Sequence, residues 1–169
     1  MPPLHPAFVH FPIALVGFSF VTDLLGRLML NRPSLRAAGF WSLIGALIGG
    51  AVTAATGYYD FGRDTLGETA RYVDFHMDMG WILVGCVVVL TAWRWFAYAR
   101  RDLSPGIPYL IAALLVVGLT LFQGWYGGEM VYSQGAGVAA AGKGTEPPAN
   151  GKQRLEKITP SGNQEPTKP

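Results

Sequence analysis

The chain has 169 residues, half of them apolar and only 14% charged, with a formal net charge of +2 at pH 7. A soluble domain carries roughly 25% charged residues, so this is the composition of a membrane protein, and so small a net charge gives no reason to expect nucleic acid as a partner. A single cysteine, Cys86, excludes an internal disulfide, and no Cys-x-x-Cys-His run is present to attach a c-type haem.

The first 26 residues hold no Lys or Arg. They lack the basic n-region of a cleaved secretory signal, so the first apolar run is expected to stay in the mature protein. Four stretches are long and apolar enough to span a bilayer, at about 8–30, 37–59, 75–98 and 107–126. Each is expected to be a helix, because lipid cannot satisfy exposed backbone groups and the alternation of a barrel is absent. Asp23 and Arg27, four apart in the first span, are expected to pair on one helix face. The first connection carries Arg27, Arg32 and Arg36 and the third carries Arg94, Arg100 and Arg101, which places both on the cytoplasmic side. Both termini and the second connection, Asp60 to Asp74, then face outward. Short connections imply antiparallel neighbours. The expected fold is all-α: an integral membrane up-down four-helix bundle over residues 1–134, followed by a disordered polar tail over 135–169, rich in Pro and poor in apolar surface.

The second span carries Gly45, Gly49, Thr53 and Gly57 at a spacing of four, a small-residue stripe that admits a helix or a flat ligand at close range. Cys86 lies mid-span, where a buried inert thiol is expected. No P-loop, G-x-S-x-G or H-E-x-x-H motif occurs.

The three histidines, His5, His10 and His76, all fall on the outward side. His10 precedes Arg27 by 17 residues and His76 precedes Arg94 by 18, so both imidazoles lie roughly 25–27 Å from their arginine. Their depths match. The first and third spans run parallel, and across a bundle diagonal of about 11–14 Å the two rings are placed to hold one iron porphyrin, for which imidazole is a common axial ligand. Ala14 and Gly17 follow His10 on its face and Gly80 follows His76, leaving room for a macrocycle, with Gly49 and Gly57 of the small stripe behind it. Pro12 suits the first turn of a helix, as does Pro6 if the helix begins earlier. His5 is expected to precede the helix. The plain alternative, histidines as interface anchors, stays open. Asp60, Asp78 and Glu129 gather on the same side. They are candidates to orient a ligating histidine or, with the histidines, to bind zinc or copper, although no pair has tight zinc spacing. Asp78 also suits a helix N-terminus.

The run His5-Pro-Ala-Phe-Val-His10-Phe-Pro-Ile-Ala-Leu15, with Ala54-Ala-Thr-Gly-Tyr-Tyr-Asp60-Phe61, His76 and Gly127-Gly-Glu-Met-Val-Tyr132 in order, resembles the bacterial membrane family called domain of unknown function 2231 over residues 4–138. The resemblance implies a four-helix membrane domain without an established reaction. Relatives occur beside redox modules, and the layout is similar to small two-haem b-type cytochromes, which implies electron transfer with His10 and His76 as axial ligands and His5 and Glu129 nearby. Relatives continue with a histidine near Gln134, where this chain reads Tyr132-Ser-Gln-Gly-Ala-Gly-Val138, so a second haem is not expected. The functional expectation is a b-type haem protein of the bacterial inner membrane that passes electrons near the periplasmic face. Its partner would be a quinone in the lipid bilayer or a periplasmic redox protein. It is expected to be an electron-transfer or accessory protein rather than a stand-alone enzyme. The rivals are a non-catalytic accessory subunit without cofactor and a divalent-metal protein.

Overall fold

The computed structural model describes residues 4–29, 32–61, 70–99 and 105–134. The expected tail and the segments 62–69 and 100–104 lie outside the described residues. The described elements are all helices: α1 (His5–Phe8), α2 (His10–Leu28), α3 (Pro33–Phe61), α4 (Ala70–Ala99) and α5 (Ile107–Gln134). Four segments, His5–Leu28, Pro33–Asp60, Ala70–Ala97 and Ile107–Ser133, have the length and apolarity of membrane spans. A span of 28 residues covers about 42 Å, enough for the hydrocarbon core and both headgroup layers.

The helices outrun the expected spans. α3 starts at Pro33 and α4 at Ala70. α5 continues through Gly127 and Gly128 to Gln134, although glycine costs a helix interior about 1 kcal/mol per residue. A close contact with α4, described below, offsets that cost at Gly127. His5 also lies inside a helix. Pro6 occupies the first turn of α1, where its missing N–H costs nothing. A single turn residue, Val9, separates α1 from α2, and Pro12 cannot donate to the Phe8 carbonyl, which explains the break.

In the bundle, α2 packs between α3 and α5, and α4 packs between the same two, so α2 and α4 face each other across the diagonal. The core is a mid-depth layer of Val16, Leu43, Ala46, Val87, Leu90, Leu110, Ala113 and Val116. Large apolar side chains such as Phe18, Ile48, Val89 and Leu115 point outward. In water that pattern would be an aggregation hazard; on a bundle that is apolar all round it is the lipid face.

Polar groups close this apolar layer at both ends. At the arginine end, Arg94 Nη2 lies 2.9 Å from Asp23 Oδ1, and both side chains are buried. The expected Asp23–Arg27 pair does not form. Asp23 turns across the diagonal to α4, while Arg27 donates from Nη1 to the Pro105 carbonyl at 3.1 Å. Packing decides this: Asp23 has no exposed surface, and a carboxylate that deep needs the partner that reaches it inside the bundle rather than one at the rim. Arg94 Nη2 also donates to the Arg36 carbonyl at 3.3 Å, and Ser19 Oγ donates to the Gly39 carbonyl at 2.8 Å.

Gly39 is where α3 comes up against this pair. A Cβ there would stand 2.5 Å from Asp23 Oδ1 and 2.8 Å from its Cγ. Gly39→Ala is therefore expected to destabilise the protein by about 1–3 kcal/mol through overpacking, read as a lowered thermal unfolding midpoint in detergent. An unchanged midpoint would show that Asp23 can move aside at no cost.

Candidate functional site

At the opposite end, α1 lays His5 against α3. The last turn of α3 supplies Asp60, whose Oδ2 accepts from the His5 backbone N–H at 2.7 Å. The first N–H groups of a helix have no partner within it, and a carboxylate is favoured there. Two turns deeper, His5 Nδ1 lies 2.9 Å from the Thr53 carbonyl. A carbonyl only accepts, so Nδ1 carries the proton and the neutral ring keeps its lone pair on Nε2. Gly57 makes this possible: a Cβ at that position would be 2.8 Å from His5 Nδ1.

His76 arrives from α4, across the diagonal. The His5 and His76 ring centroids are 6.0 Å apart with planes at 87°. The His76 ring stacks on Tyr126 of α5, 6.2 Å between centroids and 11° between planes, and Phe75 packs edge-on against the same tyrosine at 5.1 Å. Gly127 receives the imidazole, since a Cβ there would be 3.0 Å from His76 Cε1. Below the ring, Gln123 Nε2 donates to the His76 carbonyl at 2.7 Å. Three buried polar atoms here have no hydrogen-bond partner among the described residues: His76 Nδ1, Thr53 Oγ1 and Gln123 Oε1. In a bilayer, where water does not compensate such groups, each costs on the order of 1–3 kcal/mol.

The remaining candidates sort differently. His10 is exposed, and its Nδ1 lies 3.1 Å from the Pro6 carbonyl of its own chain segment. The histidine brought to His76 is therefore His5, because α1 folds over the end of α3 while the start of α2 turns His10 outward. Ala14 is exposed, and nothing lies within 4 Å of a Cβ built on Gly17. Gly80 faces the Gln123 amide, with Nε2 3.4 Å from its Cβ position. The small stripe of α3 is filled from the N-terminal segment: Gly45 meets Leu15, Gly49 meets Pro12 and Phe11, and Gly57 meets His5. Asp78 and Glu129 are exposed, and only Asp60 is tied to a histidine residue, through the backbone of His5.

Thr53 and Gln123 escape a search for titratable residues. The signal for Gln123 is available in the sequence, since an amide in an otherwise uncharged span is costly in lipid and calls for a partner. Thr53 is marked in the sequence only as a member of the small-residue stripe; its contribution here is its backbone carbonyl.

The 6.0 Å spacing at 87° is that of an edge-to-face ring contact, and it is also close to the spacing that two rings ligating one metal would take. A metal–imidazole bond of about 2.0–2.1 Å puts the metal about 3 Å from each ring centroid, so ligating rings stand about 6 Å apart. The hydrogen bond from His5 Nδ1 to a backbone carbonyl is the outer contact that a ligating histidine commonly makes. No group of three or more His, Cys, Asp or Glu residues able to hold a metal ion exists among the described residues. A bare zinc site needs three or four such ligands, whereas a haem needs only axial ones.

The fold and its two polar ends define a multi-pass, four-helix membrane protein. Residues 1–140 match the family described as predicted membrane protein (DUF2231), and the chain belongs to that family. No curated protein and no solved structure matches it.

Proposed function

We propose that the histidine end is a haem b site that His5 and His76 would hold, and that the protein relays electrons at that face of the membrane. The observation that carries this is the meeting of the two rings across the diagonal at 6.0 Å, with His5 Nδ1 held by Thr53. Haem held there supplies one-electron chemistry. The chain's own part is to orient and shield. Thr53 and Asp60 fix His5 in depth and tautomer, Gln123 ties α5 to the backbone of His76, and Tyr126 covers one face of its ring. By the distribution of basic residues this end is the outer, periplasmic one of a bacterial inner membrane. The exchange partner would then be a quinone at the bilayer border or a periplasmic redox protein.

The glycine seats favour a second reading. Gly57 and Gly127 carry the imidazoles themselves, and Gly49 carries Pro12, so the small residues of α3 are filled by side chains and give a macrocycle no bed. In that reading the cluster locks α1 onto the bundle, and the protein is an accessory subunit without cofactor.

A reduced-minus-oxidised visible spectrum of protein purified from haem-supplied cells separates the two. Haem ligation predicts a Soret shift with a sharp α-band. A flat spectrum from folded protein leaves the accessory reading.

A further inference from the structure

The arginine end holds a cavity of about 160 Å³ between the end of α4 and the start of α5, walled by Trp93, Arg94, Ala97, Pro105, Pro108 and Tyr109. It has room for about five water molecules at ~30 Å³ each, or for a phosphate group with part of its hydration shell. The described charge beside it is one-sided. Arg94 is in the wall, and Arg27 is bonded to the carbonyl of the wall residue Pro105. The charged groups described at this end are Arg27, Arg32, Arg36 and Arg94 against Asp23 alone. That aspartate is engaged by Arg94. Arg27 therefore has a backbone acceptor but no carboxylate partner among the described residues. Guanidinium groups match phosphate oxygens in geometry and charge, and basic pockets between spanning helices are a recurrent place for acidic headgroups.

We propose that this cavity binds a phosphate group of the kind an anionic lipid presents, with Arg27, held at the wall residue Pro105, as its cationic contact. The site is independent of any cofactor at the histidine end. The test is the thermal unfolding midpoint of the delipidated full-length protein in neutral detergent, with phosphatidylglycerol, phosphatidylcholine or inorganic phosphate added. Phosphatidylglycerol is expected to raise the midpoint by several degrees, as a ligand of the folded state does, and phosphatidylcholine is not. Arg27→Gln is expected to remove the shift, whereas Arg32→Gln, an exposed arginine outside the cavity wall, retains it. An Arg27-dependent shift with inorganic phosphate alone keeps the site and makes the free anion its source. Ala97→Leu, which fills the cavity without altering charge, is also expected to remove the shift and serves if Arg27→Gln does not fold. Equal shifts with both lipids, or an undiminished phosphatidylglycerol shift in Arg27→Gln or Ala97→Leu, would overturn the proposal.

Discussion

Arg94→Ala is expected to lower stability by about 3–5 kcal/mol, because it strands a buried carboxylate. Asp23 has no exposed surface and Arg94 is 1% exposed, so neither water nor headgroups replace the lost partner. The ring of Tyr109 lies 6.0 Å from the Arg94 guanidinium carbon; that contact does not neutralise a carboxylate. The same substitution removes the bond from Arg94 to the Arg36 carbonyl, which helps hold the start of α3 to α4. Asp23→Ala should cost a similar amount by removing the carboxylate that balances the buried guanidinium charge. The double variant Asp23→Leu/Arg94→Met should recover much of the loss, since replacing a whole buried pair with apolar groups is often close to neutral. A double-mutant cycle on unfolding midpoints reads the coupling directly. If Arg94→Ala unfolds like the parent, the pair is not a closed, dry ion pair, and the diagonal link between α2 and α4 carries little of the stability.

Gly57→Val should have the next largest effect, and it acts on the histidine end. The first added carbon meets His5 Nδ1 at 2.8 Å and Cε1 at 3.2 Å. The ring must leave the Thr53 carbonyl, and α1 must lift from the end of α3. Overpacking costs about 1–3 kcal/mol and the lost hydrogen bond about 1 kcal/mol more. The valuable control is Gly50 on the same helix, where a Cβ would meet nothing within 4 Å. Gly50→Ala is expected to be neutral or to stabilise by up to about 1 kcal/mol, since alanine is the better helix former. The contrast separates loss of the His5 seat from a general intolerance of side chains on α3. It is read from unfolding midpoints and, for haem-supplied protein, from the amplitude of the α-band. Equal behaviour of the two variants would mean that His5 is not held where the structure places it.

The four spans were legible because length and apolarity alone decide what can cross a bilayer. The diagonal placement of the first and third spans followed from short connections. What local spacing could not reveal was partner choice inside the bundle. Arg27 is the nearer cation to Asp23 in sequence, but burial selects Arg94, 71 residues away. His10 matches His76 in depth, but depth along a helix does not fix the face a residue presents, and His10 is turned outward. His5 looked like a residue ahead of the helix. Pro6 in a first turn and Asp60 at the end of α3 instead give the chain a short helix of its own. The small stripe of α3 admitted a helix or a flat ligand from sequence, and the segment that fills it is the N-terminal one. The fourth span was expected to end at Tyr126, but α5 runs on through Gly127 to Gln134. The use of Gly127 is in packing: it lets the His76 ring approach α5.

His5 and His76, and not His10, are the proposed functional pair. The most direct test is the reduced-minus-oxidised α-band of haem-supplied His5→Ala, His10→Ala and His76→Ala proteins, each normalised to folded protein. The band is expected to vanish in His5→Ala and His76→Ala and to persist in His10→Ala. Loss of the band in His10→Ala with retention in His5→Ala would contradict the site described here and return the ligand role to His10.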